Sequence, residues 1–258
     1  MATQRKHQPR SRRGGRLFQL YMALSLLLIV AAVVAGSLVF FKAHRFEVVG
    51  NVRYTAEELL EAADIPDGAN LVQIPRREIA RRMEQNLPYL KRVRIRAVPP
   101  DRVIIDVLET EPAGAVQFGT AVWYMDSGGK LLEQVSSNRG YPEITGLHLV
   151  DPAVGTVFQV NEDESLKAKG LRGLLAALEQ HQMLTKVQSV DVTSASTITM
   201  RYNNRLSVKM GLADDFNYDL KMLSAAEQGY IAENWSQGDT GTLDMTKREG
   251  EAILSLDS

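Results

Sequence analysis

The chain has 258 residues, 45% of them hydrophobic, with four histidines and no cysteine, so it holds no disulfide framework and no thiolate for catalysis or metal binding. Its 30 Lys and Arg nearly balance its 31 Asp and Glu, but eight of the basic residues and none of the acidic ones lie in residues 1–45, which leaves 22 against 31 downstream, a formal charge of −9. Such an acidic remainder argues against nucleic acid as a partner, because a phosphate-binding surface needs clustered cations.

Residues 1–16 carry Arg5, Lys6, Arg10, Arg12, Arg13 and Arg16 with almost nothing apolar to bury. They predict a disordered basic tail that sets topology and meets anionic headgroups. Residues 17–41 contain no charged residue and no histidine. As a helix they span roughly 37 Å, enough to cross a hydrocarbon core with some tilt. A cleaved signal peptide has an apolar region of roughly 7–15 residues and a small-residue cleavage site. This run is longer and ends in Leu38, Val39, Phe40 and Phe41 before Lys42, which predicts a retained transmembrane helix. With the basic excess before it, the amino terminus is expected in the cytoplasm and the bulk of the chain outside.

From Phe46 the pattern becomes globular. Phe46, Val48 and Val49 followed by Gly50-Asn51 read as a strand and its exit. Thr55-Ala56-Glu57-Glu58 has the form of a capping box, with Tyr54 placed to staple onto Leu59, and Pro66-Asp67-Gly68 ends that helix. A second helix follows Pro75, with Ile79, Met83 and Leu87 on one face and Arg76, Arg77, Arg81 and Arg82 mostly on the other, until Pro88. Val93, Ile95 and Ala97 then alternate with Arg92, Arg94 and Arg96, and Pro99-Pro100-Asp101 turns the chain into residues 103–108, apolar enough on both faces to sit centrally in a sheet.

Beyond residue 113, Val122 to Met125 and Leu131-Leu132 flank Gly128-Gly129, a hairpin pattern. Leu171, Leu174, Leu175 and Leu178 predict a helix over residues 164–181. Strands follow at 187–192, 197–202 and 206–210, the last two joined by Asn203-Asn204 as a tight turn. A helix over 216–228 shows Phe216, Leu220 and Leu223 inward and is expected to stop at Gly229. Residues 241–245 and 251–254 close the chain as two short strands.

The order strand, helix, helix, strand, strand directly after an anchor resembles a POTRA domain. The carrying residues are Phe46-Glu47-Val48-Val49-Gly50-Asn51, Pro66-x-Gly68-x-Asn70 and Glu109-x-x-Pro112-Ala113, with Thr110 where many relatives have Arg. One such module behind a single anchor is similar to the FtsQ/DivIB family of bacterial cell-division proteins, whose P-x-I-T-G element resembles Pro142-Glu143-Ile144-Thr145-Gly146. The helix after Gly211 and the strand Gly241-Thr242-Leu243-Asp244-Met245 are similar to further family elements. The resemblance implies an α+β chain: cytoplasmic tail 1–16, transmembrane helix 17–41, POTRA-like β-α-α-β-β module 44–112, and a β-rich domain with two helices at 113–255. It also implies a scaffold, not an enzyme, that holds FtsB/DivIC-like and FtsL-like single-pass partners at the division septum, with the lipid bilayer as its other contact. The partner would add a strand along residues 241–247, using Thr242, Leu243, Asp244, Met245 and Thr246, with Ala252, Ile253 and Leu254 completing the site.

Other classes find little purchase. His7, His44, His148 and His181 are scattered without metal-ligand spacing, and no cofactor or small-molecule substrate is expected. Glu57-Glu58, Glu162-Asp163-Glu164 and Asp214-Asp215 each fall at a helix start, where acids favour the positive end of the helix dipole. Arg76, Arg77, Arg81, Arg82, Arg92, Arg94 and Arg96 read either as a solvated face, with Glu78 and Arg82 paired and the strand arginines guarding an edge, or as a recruitment face for anionic headgroups or an acidic partner. The alternative from another class is a membrane-tethered sensor binding cell-wall fragments in a groove between its domains.

Overall fold

The computed structural model describes residues 14–213, 215–236, 238–248 and 251–256. The expectations for residues 1–13, His7 among them, and for Asp214 therefore lie outside the described residues. Helix α1 (Gly14–Phe40) contains Phe18–Gly36, 19 residues long and apolar enough to cross a membrane, with none of it buried in the protein.

The first module comprises β1 (Arg45–Val49), α2 (Ala56–Ala63), α3 (Arg76–Asn86), β2 (Leu90–Val98) and β3 (Arg102–Glu109). Its three-stranded sheet has the order β1-β3-β2, with β1 parallel and β2 antiparallel to β3. The apolar run therefore does lie centrally, burying Val103, Ile105 and Val107. The capping box forms as written: Thr55 Oγ1 accepts from Glu58 N at 3.2 Å, and the Glu58 carboxylate accepts from Thr55 N at 2.8 Å. Leu59, Ile79 and Met83 pack with Val93 and Ile95 into one core.

The second unit is built from β4 (Gly114–Phe118), β5 (Ala121–Met125), β6 (Leu131–Val135), β7 (Glu143–Thr145), β8 (Leu149–Val150), β9 (Gln159–Val160), α4 (Ser165–Gln180), β10 (Val187–Asp191), β11 (Thr197–Tyr202), β12 (Leu206–Gly211), α5 (Phe216–Ala226), α6 (Ala232–Asn234), β13 (Gly241–Arg248) and β14 (Glu251–Leu256). Nine of these strands form one sheet in the order β14-β13-β12-β11-β10-β7-β4-β5-β6, while β8 and β9 pair separately. Leu171, Leu174, Leu175 and Leu178 of α4 and Phe216, Leu220 and Leu223 of α5 share its core. Asn203 and Asn204 both take positive φ, 51° and 57°, at the centre of the turn that Arg205 N closes onto Tyr202 O at 3.1 Å, and Leu206 pairs with Tyr202. Gly129, at φ +85°, turns the β5–β6 hairpin where a Cβ would meet the Phe158 ring at 2.6 Å.

One helix end differs from expectation. Gly229 does not stop α5; the chain passes through a wide π turn at Glu227–Ile231 into α6 and leaves at Trp235. Two anchors carry the helix past the glycine: Glu227 is held by Lys186 Nζ at 3.0 Å and the Tyr202 hydroxyl at 2.9 Å, and Ile231 is buried in the core. Burial and the bond to Glu227 push the Tyr202 phenol up to about 12.

The two cores meet around Tyr89, which is buried with Ala115, Tyr124 and Leu132, the Arg53 guanidinium lying 3.6 Å from its ring centroid. Thr110, at the family's arginine position, is buried and donates its amide to the Tyr89 carbonyl at 2.9 Å. Lys130 crosses the junction and donates to the carbonyls of Glu84 at 2.6 Å and Leu90 at 3.1 Å. Beside it, Lys91 meets Glu179 at 2.7 Å, and the same carboxylate accepts from Ser127 Oγ at 2.6 Å.

Candidate functional site

The two ends of the nine-stranded sheet differ. At β6, Leu131 N donates to Thr156 O and Gly155 N donates to Leu131 O, so the loop before β9 covers the start of that edge. At the other end lies β14, outermost in the sheet. This corrects the expected geometry, because residues 241–244 pair on both sides, parallel with β12 and antiparallel with β14. Leu243 and Met245 are core residues, 1% and 7% exposed, not side chains presented to a partner. The free edge is the strand expected only to complete the site.

Backbone alternation identifies the peptide groups this edge offers. Gly241 N donates to Arg205 O on β12 at 3.1 Å, so Gly241 and Leu243 aim their backbone groups at β12, and Thr242 and Asp244 aim theirs at β14. The partners of Thr242 and Asp244 are Ser255 and Ile253, so Ala252, Leu254 and Leu256 direct their N–H and C=O groups outward. Leu254, opposite Leu243, packs against the core, whereas Ile253 and Leu256 are 53% and 60% exposed and Ala252 is exposed. An edge with four apolar residues in six is one that soluble folds normally cover or blunt with charge.

Arg205 and Trp235, which sequence reasoning passed over, help hold this edge in place. Arg205 donates from Nη2 to Ser236 O at 2.8 Å and from Nε to Asp239 O at 3.0 Å, clamping the turn that feeds β13, and its guanidinium lies 5.5 Å from the Trp235 ring centroid. At Gly241 a Cβ would meet Ser255 O at 2.3 Å and the Trp235 ring at 2.6 Å, so only glycine fits. A lone Gly inside a strand pattern marks such close approaches and is the one sequence signal that pointed there. After Asp244 the pairing with β14 shifts register. There the Asp244 carboxylate accepts from Thr246 Oγ1 at 2.7 Å and Thr246 N at 2.9 Å, which holds its pKa below the ordinary aspartate value.

Comparison with known proteins fits this architecture. The family description "POTRA domain, FtsQ-type" matches residues 41–110. The chain is 29% identical over 217 residues to the cell division protein FtsQ of Syntrophotalea carbinolica, covering 78% of this chain and 73% of that one. It is 24% identical over 216 residues to FtsQ of Corynebacterium glutamicum, covering 82% and 89%. Residues 41–110 thus match an FtsQ-type POTRA domain, and over most of its length the chain is similar to the cell division protein FtsQ. Among solved structures, the major extracytoplasmic domain of DivIB from Geobacillus stearothermophilus matches with 15% identity and a TM-score of 0.28, over 50% of this chain and 98% of that one.

In this FtsQ-like chain the seven arginines do not form one face. Val93 and Ile95 point into the core beneath α3, so Arg92, Arg94 and Arg96 alternate onto the opposite side of the sheet, while Arg76, Arg77, Arg81 and Arg82 line the exposed side of the helix. Arg82 donates to Ala63 O at 2.8 Å, closing the end of α2; an ion pair with Glu78 is not found among the described residues. Arg96 lies 3.9 Å from Asp106. The described histidines are separate: His44 faces Asp67 at 3.0 Å, His148 faces Glu164 at 2.8 Å, and His181 faces Asn217 at 3.2 Å. Asp215 caps α5, accepting from Asn217 N at 3.1 Å.

Proposed function

We propose that this chain is a non-enzymatic cell-division scaffold of the FtsQ/DivIB family, anchored by α1 with its amino terminus in the cytoplasm, that captures a single-pass division partner by strand addition at β14. The family resemblance gives that partner as FtsB/DivIC-like, held together with an FtsL-like protein at the septum. In strand addition the main chain supplies affinity and alternate side chains supply choice. The observation that carries the reading is the open edge itself, with outward peptide groups at Ala252, Leu254 and Leu256 and exposed Ile253 and Leu256. Thr242, Asp244 and Thr246 lie on the neighbouring strand and Leu243 and Met245 support it from the core, so their contribution is to hold the docking strand. The arginines on the two sides of the first module serve as separate candidate recruitment surfaces.

Proline substitution tests this where the ladder geometry makes it selective. At Ala252 the N–H points outward, so Ala252→Pro removes a docking donor and leaves the bonds to β13 in place. Partner capture should fall by at least about tenfold, as loss of a backbone bond and a clash with the incoming strand imply, with the thermal midpoint nearly unchanged. Leu243→Pro instead breaks an internal ladder and should unfold the domain. Undiminished capture by a folded Ala252→Pro variant refutes strand addition at this edge.

A further inference from the structure

The membrane-proximal end of the first module carries a surface that strand addition does not use. As the chain leaves α1 it is stitched to the loop after α2: Leu71 N donates to Phe41 O at 2.9 Å, Ala43 N to Ala69 O at 2.8 Å, and Gly68 N to Ala43 O at 2.7 Å. Lys42 and Asn70 form an antiparallel bridge, and Ala43 is completely buried. The loop tip is thereby fixed within a few residues of the end of α1, and it presents Val72 at 65% exposure. Immediately beyond, α3 opens with Arg76 and Arg77, two cations at the positive end of a helix dipole, with Glu78 the acid of that first turn. Pro75, at the N-cap position, supplies no side-chain acceptor. Lys42, Arg76 and Arg77 are exposed, and none of the three is in an ion pair among the described residues, whereas the nearby Asp67 is taken by His44. An apolar tip ringed by free cations, continuous with a lipid-facing helix, has the make-up of an interfacial membrane contact.

We propose that this end of the module rests on the bilayer, Val72 entering the headgroup layer while Lys42, Arg76 and Arg77 bind the phosphodiesters of anionic lipids. The contact rests on the reading of α1 as the anchor. Its consequence is orientation: a module lying on the membrane by a second contact cannot swivel freely about the end of α1, so the direction in which β14 is displayed is fixed.

The absence of native cysteine makes a direct test available. Full-length single-cysteine variants Val72→Cys, Val52→Cys and Leu28→Cys are spin-labelled and placed in nanodiscs of phosphatidylcholine alone or mixed with phosphatidylglycerol. Collision with oxygen against a water-soluble nickel chelate then reports depth. Val52, 91% exposed, follows the exit of β1 and serves as the solvent control. In the anionic discs the Val72 label should move to interfacial depth, and Arg76→Gln with Arg77→Gln should lower the docked-to-free ratio about fivefold per residue, as should high salt. A Val72 label as wet as the Val52 label in both lipids, with the Leu28 label deep in hydrocarbon, overturns the contact but leaves the anchor standing. A Leu28 label outside the hydrocarbon overturns the anchor itself. Protection of Val72 that needs added division proteins and not anionic lipid assigns the surface to a protein and also overturns the proposal.

Discussion

Lys130 shows how much one residue can carry. Its position after the Gly128-Gly129 turn brings its ammonium to two main-chain carbonyls of the other module, Glu84 O and Leu90 O. Burial lowers its pKa, with Asp126 and Glu84 working in the opposite direction, so the group is charged in a place that makes charge expensive. Lys130→Met keeps the length and removes both bonds, and it should lower stability by about 1–3 kcal/mol in urea unfolding. The accompanying sign is faster amide exchange at Tyr89 and Leu90, because these residues are fixed from the other side of the junction by this ammonium.

At the scale of elements, what the sequence made legible was whatever local chemistry specifies. The capping box at Thr55, the paired asparagines at 203 and 204, the alternating Val93, Ile95 and Ala97, and the leucine stripe of α4 each fix an element through its own residues, and each is found in the fold. What was not legible depends on pairing across long sequence separations. The strand Gly114–Phe118 has no period-two pattern because its first three residues are all buried, and its partners β5 and β7 are not deducible from it. The same gap misplaced the free sheet edge: residues 241–247 and 251–254 both read as strands, but only pairing decides which is outermost. Gly241 tests the arrangement that pairing produced. Gly241→Ala puts a methyl against Ser255 O and Trp235, so either β14 or the indole must move. Overpacking of this kind should lower stability by about 1–3 kcal/mol and weaken partner capture in parallel. A calorimetric scan and a binding titration on the same variant check both, and a capture-deficient variant of unchanged stability would show that β14 has shifted while the core has not.

For the whole molecule, the distance and angle between the anchor and β14 depend on the junction between the modules, and that junction has an acid-sensitive latch. Glu179 sits on α4 of the second unit and accepts from Lys91 of the first and from Ser127. Burial raises its pKa, but the bonds from Lys91 and Ser127 outweigh that, and the net value lies below the ordinary glutamate value of 4.5. A carboxylate with a depressed folded-state pKa contributes stability that is fully present above its unfolded value and is lost as pH falls through its folded value. The latch therefore holds at neutral pH and lets go only as the solution drops below about 4.5. Lys91 and Glu179 are each more than a third exposed, so the pair contributes modestly, about 0.2–1 kcal/mol, and its role is to set an angle more than to hold the fold. Glu179→Gln should accordingly leave the unfolding midpoint at pH 7 within a few degrees of the parent. It should also flatten the acid limb of the stability profile below pH 4.5 relative to the parent. Distances between spin labels on β1 and β12 should broaden in the variant at neutral pH and in the parent only in acid. A parent distance distribution that is already broad at pH 7 would mean that the junction is a hinge, and that β14 is presented over a range of directions.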